Sequence, residues 1–184
     1  MIQKKNEIFN FFPCDLNIPN EIKDQAQEIR IRFGQAIIIK YFNKEFLTSI
    51  IADEKLILNL IENFTNNSVY AVQAEINSGY VTIKGGHRVG ISGTCIFEQG
   101  KIKNIRYISS LNIRVANEIR GCSNKLIELL YTNSFENTLI LSPPGSGKTT
   151  LLRDIIRQLS MGGQDISVID ERSEIAAIYK GIPQ

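Results

Sequence analysis

The sequence predicts an α/β protein of two parts: an α+β domain over residues 1–116, then a unit over 117–184 in which strand, glycine-rich loop and helix follow one another. Three observations carry this. Short segments of alternating apolar and polar residues, bounded by turn residues, fill the first part with a few helical stretches between them. An apolar run, the octapeptide SPPGSGKT at 142–149 and a helical apolar stripe then come in that order. No repeat, low-complexity tract or long linker separates the two parts.

Along the first part, Pro13 closes a short N-terminal segment and Asn20 opens a polar helix. Residues 28–33 (EIRIRF) alternate as a half-buried strand does, Gly34-Gln35 turns the chain, and 36–41 (AIIIKY) reads as a more buried strand. Asn43-Lys44 turns it again towards 45–49. Asp53 is placed as an N-cap, with Leu56, Ile57, Leu60, Ile61 and Phe64 following at helical spacing. A second helix is expected over about 69–76, closed by Gly79. Strands at 80–83 and 88–97 flank Gly85-Gly86, Gly100 marks a further hairpin, and strands at 102–108 and 111–115 complete the domain near Ala116. Ser123 or Asn124 then caps a helix through Leu130.

Composition narrows the function classes. At 43% hydrophobic and 22% charged, the 184 residues match a soluble globular protein and exclude disorder, fibre and coiled coil. No apolar run reaches the roughly 20 residues of a membrane span, and the first twelve residues are too polar for a secretory signal, so a cytoplasmic protein is expected. Cys14, Cys95 and Cys122 are odd in number and lack CxxC spacing, which reads as buried free thiols rather than a disulfide framework or zinc site. His87 is the single histidine and is assigned to packing or a turn. The net charge of +2 is uneven, because residues 79–125 carry +6 and the remainder −4. Two readings of that segment stay open: a solvated sheet face with lysines along its edges, or a surface for an anion.

The chemistry is concentrated at 142–149. Gly145 and Gly147 let the backbone curl so that successive N–H groups converge on phosphate oxygens, and the helix begun by Lys148 adds the positive end of its dipole. Pro144, Gly145, Ser146, Gly147, Lys148, Thr149 and Thr150 are the phosphate-binding residues expected of this loop. Lys148 would reach the β- and γ-phosphates of ATP, and the Thr149 hydroxyl would ligate Mg²⁺. The usual first glycine of such loops is Ser142 here, a small residue able to hold the same extended conformation. Residues 164–170 (QDISVID) read as the next strand, ending in Asp170-Glu171. These acids fit a metal- and water-positioning element, or an acidic turn capping a helix at 175–179.

The blocks EIRIRFGQ (28–35), GGHRVGISG (85–93), LNIRVANEIRGC (111–122), the loop itself and IDERSEIA (169–176) together resemble the stage III sporulation protein AA family along nearly the whole chain. That family is similar to the hexameric traffic ATPases of secretion and pilus systems. The resemblance implies an α+β N-terminal domain joined to part of a RecA-like ATPase domain, with ATP and Mg²⁺ as cofactors. It also implies a hexameric ring that powers or assembles a mother cell–forespore channel, peripheral to membrane-embedded channel proteins. It gives Asp170 and Glu171 catalytic roles beside Lys148, makes Glu174 a weaker candidate, and offers Arg88, Arg106 and Arg114 as arginines that reach the phosphates. The chain stops at Gln184, before the further strands and sensor elements of such a core. A truncated piece that turns over ATP weakly or not at all is therefore expected. A nucleic-acid-binding P-loop protein and a catalytically idle, nucleotide-gated scaffold are the alternatives, nucleic acid being the less expected partner.

Overall fold

Alternation along the strands sorts side chains onto two faces, and only one face is apolar. In β1 (Ala26–Arg32) Ile29 and Ile31 are fully buried while Glu28, Arg30 and Arg32 point the other way. The computed structural model describes residues 7–66, 68, 72–116, 119–130, 137–143, 146–171, 175–176, 179 and 182. The chain divides into two compact units, one running to Ala116 and taking in Tyr179 and Ile182, the other over Asn117–Ala177.

The first unit is α+β. A single 3₁₀ turn (Glu7–Phe11) and a short helix α1 (Asn20–Gln25) precede β1, β2 (Ala36–Tyr41) and β3 (Lys44–Ile51). Helices α2 (Glu54–Thr65) and α3 (Gln73–Asn77) follow, then β4 (Tyr80–Ile83), β5 (His87–Glu98) and β6 (Lys101–Arg114). All pairings are antiparallel, in one six-stranded sheet of order β3-β2-β1-β6-β5-β4. Ile37, Ile39, Val89, Leu111 and Ile113 extend the apolar face begun by Ile29 and Ile31. Against the core they form pack Leu56, Ile57, Leu60 and Phe64 of α2, together with Ile8 and Phe12.

Helix α2 starts where the sequence places it. The Asp53 carboxylate accepts from the Leu56 N–H at 2.7 Å, and Asn66, with φ +51°, ends the helix in the left-handed conformation. The strands also follow the alternation, with one difference: the two strands expected at 102–108 and 111–115 are one strand, β6. The interruption read there is a bulge. Ser92 faces Ser110 and Thr94 faces Arg106, so three residues of β6 stand against Gly93 alone, with Tyr107 at φ +48°. Gln99 and Gly100, both at positive φ, make the two-residue turn between β5 and β6.

Two expectations are corrected, on the helix at 69–76 and on the cysteines, and one part of the core carries no sequence signal. The helix expected over 69–76 runs from Gln73 to Asn77, and residues 69–71 lie outside those described. Ile8, Phe12, Leu16 and Ile18 all belong to the core, although their irregular spacing in the N-terminal segment gives no periodic signal. Cys14 and Cys122 are exposed and Cys95 is half-buried, because the first two sit in turns rather than on the apolar face.

The opposite sheet face is polar. Across it, Arg88 pairs with Arg114, which pairs with Glu28, which pairs with Lys40. Arg30 spans Glu28 and Glu45 at 2.8 and 2.9 Å, and the Arg88 guanidinium lies 3.7 Å from the Tyr80 ring centre. Arg32, Arg88 and Arg114 are exposed on this face. Among the described residues no helix is long and apolar enough to cross a membrane.

His87 follows the Gly85-Gly86 turn and is 1% exposed. Its Nδ1 accepts from the Ala116 N–H at 3.0 Å, while Nε2 has no hydrogen-bond partner among the described residues. Burial pushes this imidazole down from 6.5 to about 4. Above pH 6.5 the ring is neutral in both the folded and unfolded chain. Between pH 6.5 and 4 only the unfolded chain takes up the proton, so this residue makes stability fall across that window by about 3 kcal/mol. Denaturant titrations at pH 7 and pH 4 should show that excess loss in wild type relative to His87→Phe. Equal losses in the two proteins would contradict it. At Gly93 an added Cβ would lie 2.8 Å from Ile105 Cγ2, 2.9 Å from the Arg106 carbonyl oxygen and 3.0 Å from Ile108 Cα. Two of these are backbone atoms that cannot step aside, so Gly93→Ala should destabilise by about 2–3 kcal/mol, read as a lowered urea midpoint.

Candidate functional site

In the second unit the helix of the glycine-rich loop, α5 (Lys148–Met161), forms as the apolar stripe dictates. Its N-cap is Gly147 at φ +92°, a conformation that side-chain-bearing residues rarely adopt. Leu151 donates to the Gly147 carbonyl at 2.9 Å, making it the first N–H of an intrahelical ladder. The N–H groups of Lys148, Thr149 and Thr150 precede that bond and have no helical acceptor, so they form the donor end of the dipole.

The Lys148 ammonium folds back over the loop mouth. It donates to the Ser142 carbonyl at 2.6 Å, the Pro143 carbonyl at 3.0 Å and the Ser142 hydroxyl at 3.2 Å, which accounts for all three ammonium donors. Ser146 Oγ donates to the Pro143 carbonyl at 2.7 Å and lies within hydrogen-bond distance of Ser142 Oγ. Ser142, at the position where such loops usually have glycine, is therefore a bonded part of the mouth. Pro144 and Gly145 lie outside the described residues. The site fits a polyphosphate on its own chemistry: a left-handed glycine, three N–H groups facing away from the helix and one ammonium. Thr149, half-buried in the first turn, offers a single hydroxyl oxygen, so a Mg²⁺ held by it would need further ligands from outside the loop side chains.

The flanking apolar runs differ from expectation. Residues 138–141 and 164–170 are not paired as strands among the described residues, and Leu139, Leu141 and Ile169 are 80%, 81% and 96% exposed. Hydrophobicity signals that a segment is to be covered; it does not supply the ladder partner that makes it a strand. Asp170 Oδ2 accepts from the Ile175 and Ala176 N–H groups, both at 2.8 Å, and Arg153 Nε of α5 donates to the Ile175 carbonyl at 2.9 Å. The carboxylate thus braces Ile175 and Ala176, which form a bend where a helix over 175–179 was expected; residues 177–178 lie outside those described. Glu171 is exposed in that turn, and Glu174 lies outside the described residues.

One side chain at the centre of this unit was not anticipated. Asp154 of α5 is 4% exposed. It accepts from the Gly121 N–H at 3.1 Å, the Ser123 N–H at 2.9 Å, the Ser123 hydroxyl at 2.7 Å, Gln158 Nε2 at 2.9 Å and the Arg157 guanidinium. Burial alone would raise this carboxyl, but those donors outweigh it and hold it far below the usual carboxylate range. They tie the turn at 121–123, which leads into helix α4 (Asn124–Leu130), to the helix of the loop. The available signal was an acid inside the apolar stripe with Arg157 three residues and Gln158 four residues on.

The family model for sporulation stage III, protein AA, matches residues 3–184. Stage III sporulation protein AA of Bacillus subtilis (strain 168) is 41% identical over 192 residues, covering 97% of this chain. The chain spans 62% of the length of that relative. Two solved structures show a partial likeness. The Legionella pneumophila ATPase DotB is 18% identical, with a TM-score of 0.43 over 76% of this chain and 39% of its own. The VirB11 ATPase from the Brucella suis type IV secretion system, in complex with sulphate, is 14% identical, with a TM-score of 0.35 over 88% of this chain and 44% of its own.

Removing the Asp154 carboxylate leaves two N–H groups, a hydroxyl and a guanidinium without their acceptor. Asp154→Ala should therefore cost about 3–5 kcal/mol, measured as unfolding of the second unit by hydrogen exchange across α5. A cost under about 1 kcal/mol would show that water replaces the carboxylate freely.

Proposed function

The chain belongs to the sporulation stage III protein AA family, and on that premise we propose that it is a Mg-ATP-binding P-loop ATPase that powers or assembles a mother cell–forespore channel. The observation that carries the reading is the loop mouth: Gly147 at φ +92° turns the backbone into α5, and the Lys148 ammonium sits among loop oxygens that phosphate oxygens can replace. In this reading Lys148 neutralises the β- and γ-phosphates, Thr149 ligates Mg²⁺, and residues 144–150 cradle the polyphosphate. Asp170 and Glu171 position the metal and the attacking water, which requires Asp170 to exchange its turn N–H partners for that role.

The further parts of the proposal come from the sequence resemblance: a RecA-like core, residues 1–116 as the N-terminal domain, a hexameric ring and membrane-embedded channel partners. The arginines of the open sheet face support it electrostatically. Arg88 and Arg114 face each other across β5 and β6, a like-charge pair that gains from a neighbouring anion, and Arg106 lies further along β6. The resemblance makes these three the candidate arginines that reach the phosphates. The same face supports nucleic-acid binding as the second reading, distinguished by steep loss of binding with salt.

Lys148→Ala should weaken Mg-ATP binding about 100-fold, or about 2.7 kcal/mol, by calorimetric titration, with the unfolding transition unchanged. Equal affinities in wild type and variant would overturn the reading.

A further inference from the structure

The turn ahead of α4 is held to the helix of the loop by several hydrogen bonds among the described residues, and the phosphate chemistry alone gives it no task. Gly121 and Ser123 are fixed through their N–H groups to Asp154, and Gln158 Nε2 adds bonds to Ser123 Oγ at 2.9 Å and Asn124 Oδ1 at 2.8 Å. Between them the Cys122 thiol reaches the Thr150 carbonyl at 3.8 Å, in the first turn of α5. The turn therefore lies alongside residue 150.

That position has a consequence for any nucleotide seated in the loop. The lysine of such a loop reaches the outer phosphates, so the inner, ribose-bearing phosphate lies towards the N–H groups that follow it, at Thr149 and Thr150. The nucleoside then leaves the cradle next to Thr150, where the turn stands. The turn offers an apolar and polarisable surface: Cys122, against Thr150, is exposed, and Ile119 at the start of the turn is 56% exposed. Neither side chain presents the fixed pair of donors and acceptors that reads a base edge. Such a surface takes the flat face of a base by contact.

We propose that the Ile119–Ser123 turn is the nucleoside wall of this site, with Asp154 as the positioning residue that holds it against the loop helix. The proposal rests on the nucleotide-binding reading and adds to it the part of the ligand that the loop itself does not touch. Asp154 acts through the turn and touches no phosphate.

The test separates the two halves of the ligand. Calorimetric titrations with Mg-ATP and with Mg-tripolyphosphate are run on the full chain, its Ile119→Ala variant and its Asp154→Asn variant. Ile119→Ala alters an exposed side chain outside the Asp154 network, so its reading does not depend on the fold surviving loss of the carboxylate. Expected for Ile119→Ala are an ATP affinity lowered about 10-fold and a tripolyphosphate affinity unchanged within about twofold, with Asp154→Asn lowering ATP affinity at least as much. In wild type, Mg-ATP should slow alkylation of Cys122 by iodoacetamide while Mg-tripolyphosphate does not, with Cys14 as the internal control. Equal losses for both ligands, or an unchanged ATP affinity in Ile119→Ala, would overturn the wall and leave the phosphate loop standing. No binding of tripolyphosphate by wild type would overturn the loop reading and the wall with it.

Discussion

A carboxylate taken out of water must be met by donors, and in the second unit that requirement arranges everything around α5. Asp154 is buried on the helix that carries the loop lysine, and its acceptor capacity is filled from both its own helix and the turn before α4. Arg157 and Gln158 approach from the next turn of the same helix, so half the shell is local and forms whenever the helix forms. The other half is distant in sequence. Ser123 lies 31 residues away, and its N–H and hydroxyl reach the same oxygen. A half-filled shell around a buried charge is worse than none, which makes the arrangement close to all-or-none.

The first unit obeys a different constraint, the strict two-residue period of its strands. Because one face takes the fully buried aliphatic side chains, a one-residue slip of β1 would exchange Ile29 and Ile31 for arginines, and the register is fixed by that penalty. The polar face is then free to concentrate charge. Arg88 stands opposite Arg114, and the arrangement is tolerated because Glu28 follows in the next strand and the Tyr80 ring lies under the Arg88 guanidinium.

Much of the first unit was legible in the sequence because its signals are local. EIRIRF and AIIIKY alternate over enough residues to give strands, and Asp53 with its 3.6-spaced apolar residues gives α2. What escaped was whatever depends on a distant partner. The bulge at Gly93 reads as a break because only the register shows β6 continuing through it. The apolar runs at 138–141 and 164–170 have strand composition and no ladder among the described residues. At the site, the left-handed glycine at 147 and the lysine after it follow from loop chemistry. The role of Ser142 and the network of Asp154 do not, since both are set by atoms that sequence spacing leaves unspecified. Asp170 shows the same limit: its acid character was evident, but not that it would be engaged by the N–H groups of Ile175 and Ala176.

The backward fold of Lys148 makes the loop its own first ligand. Three oxygens of the loop already solvate the ammonium, so an incoming anion must exchange with them rather than meet a bare cation. A monovalent ion gains little by that exchange, since it replaces three neutral contacts with one charged contact and loses its own hydration. An anion that carries several charges in a row gains from the amides and the ammonium together. Under the proposed nucleotide-binding reading, the same exchange would distinguish anions by valence, favouring a chain of phosphates over a single monovalent ion.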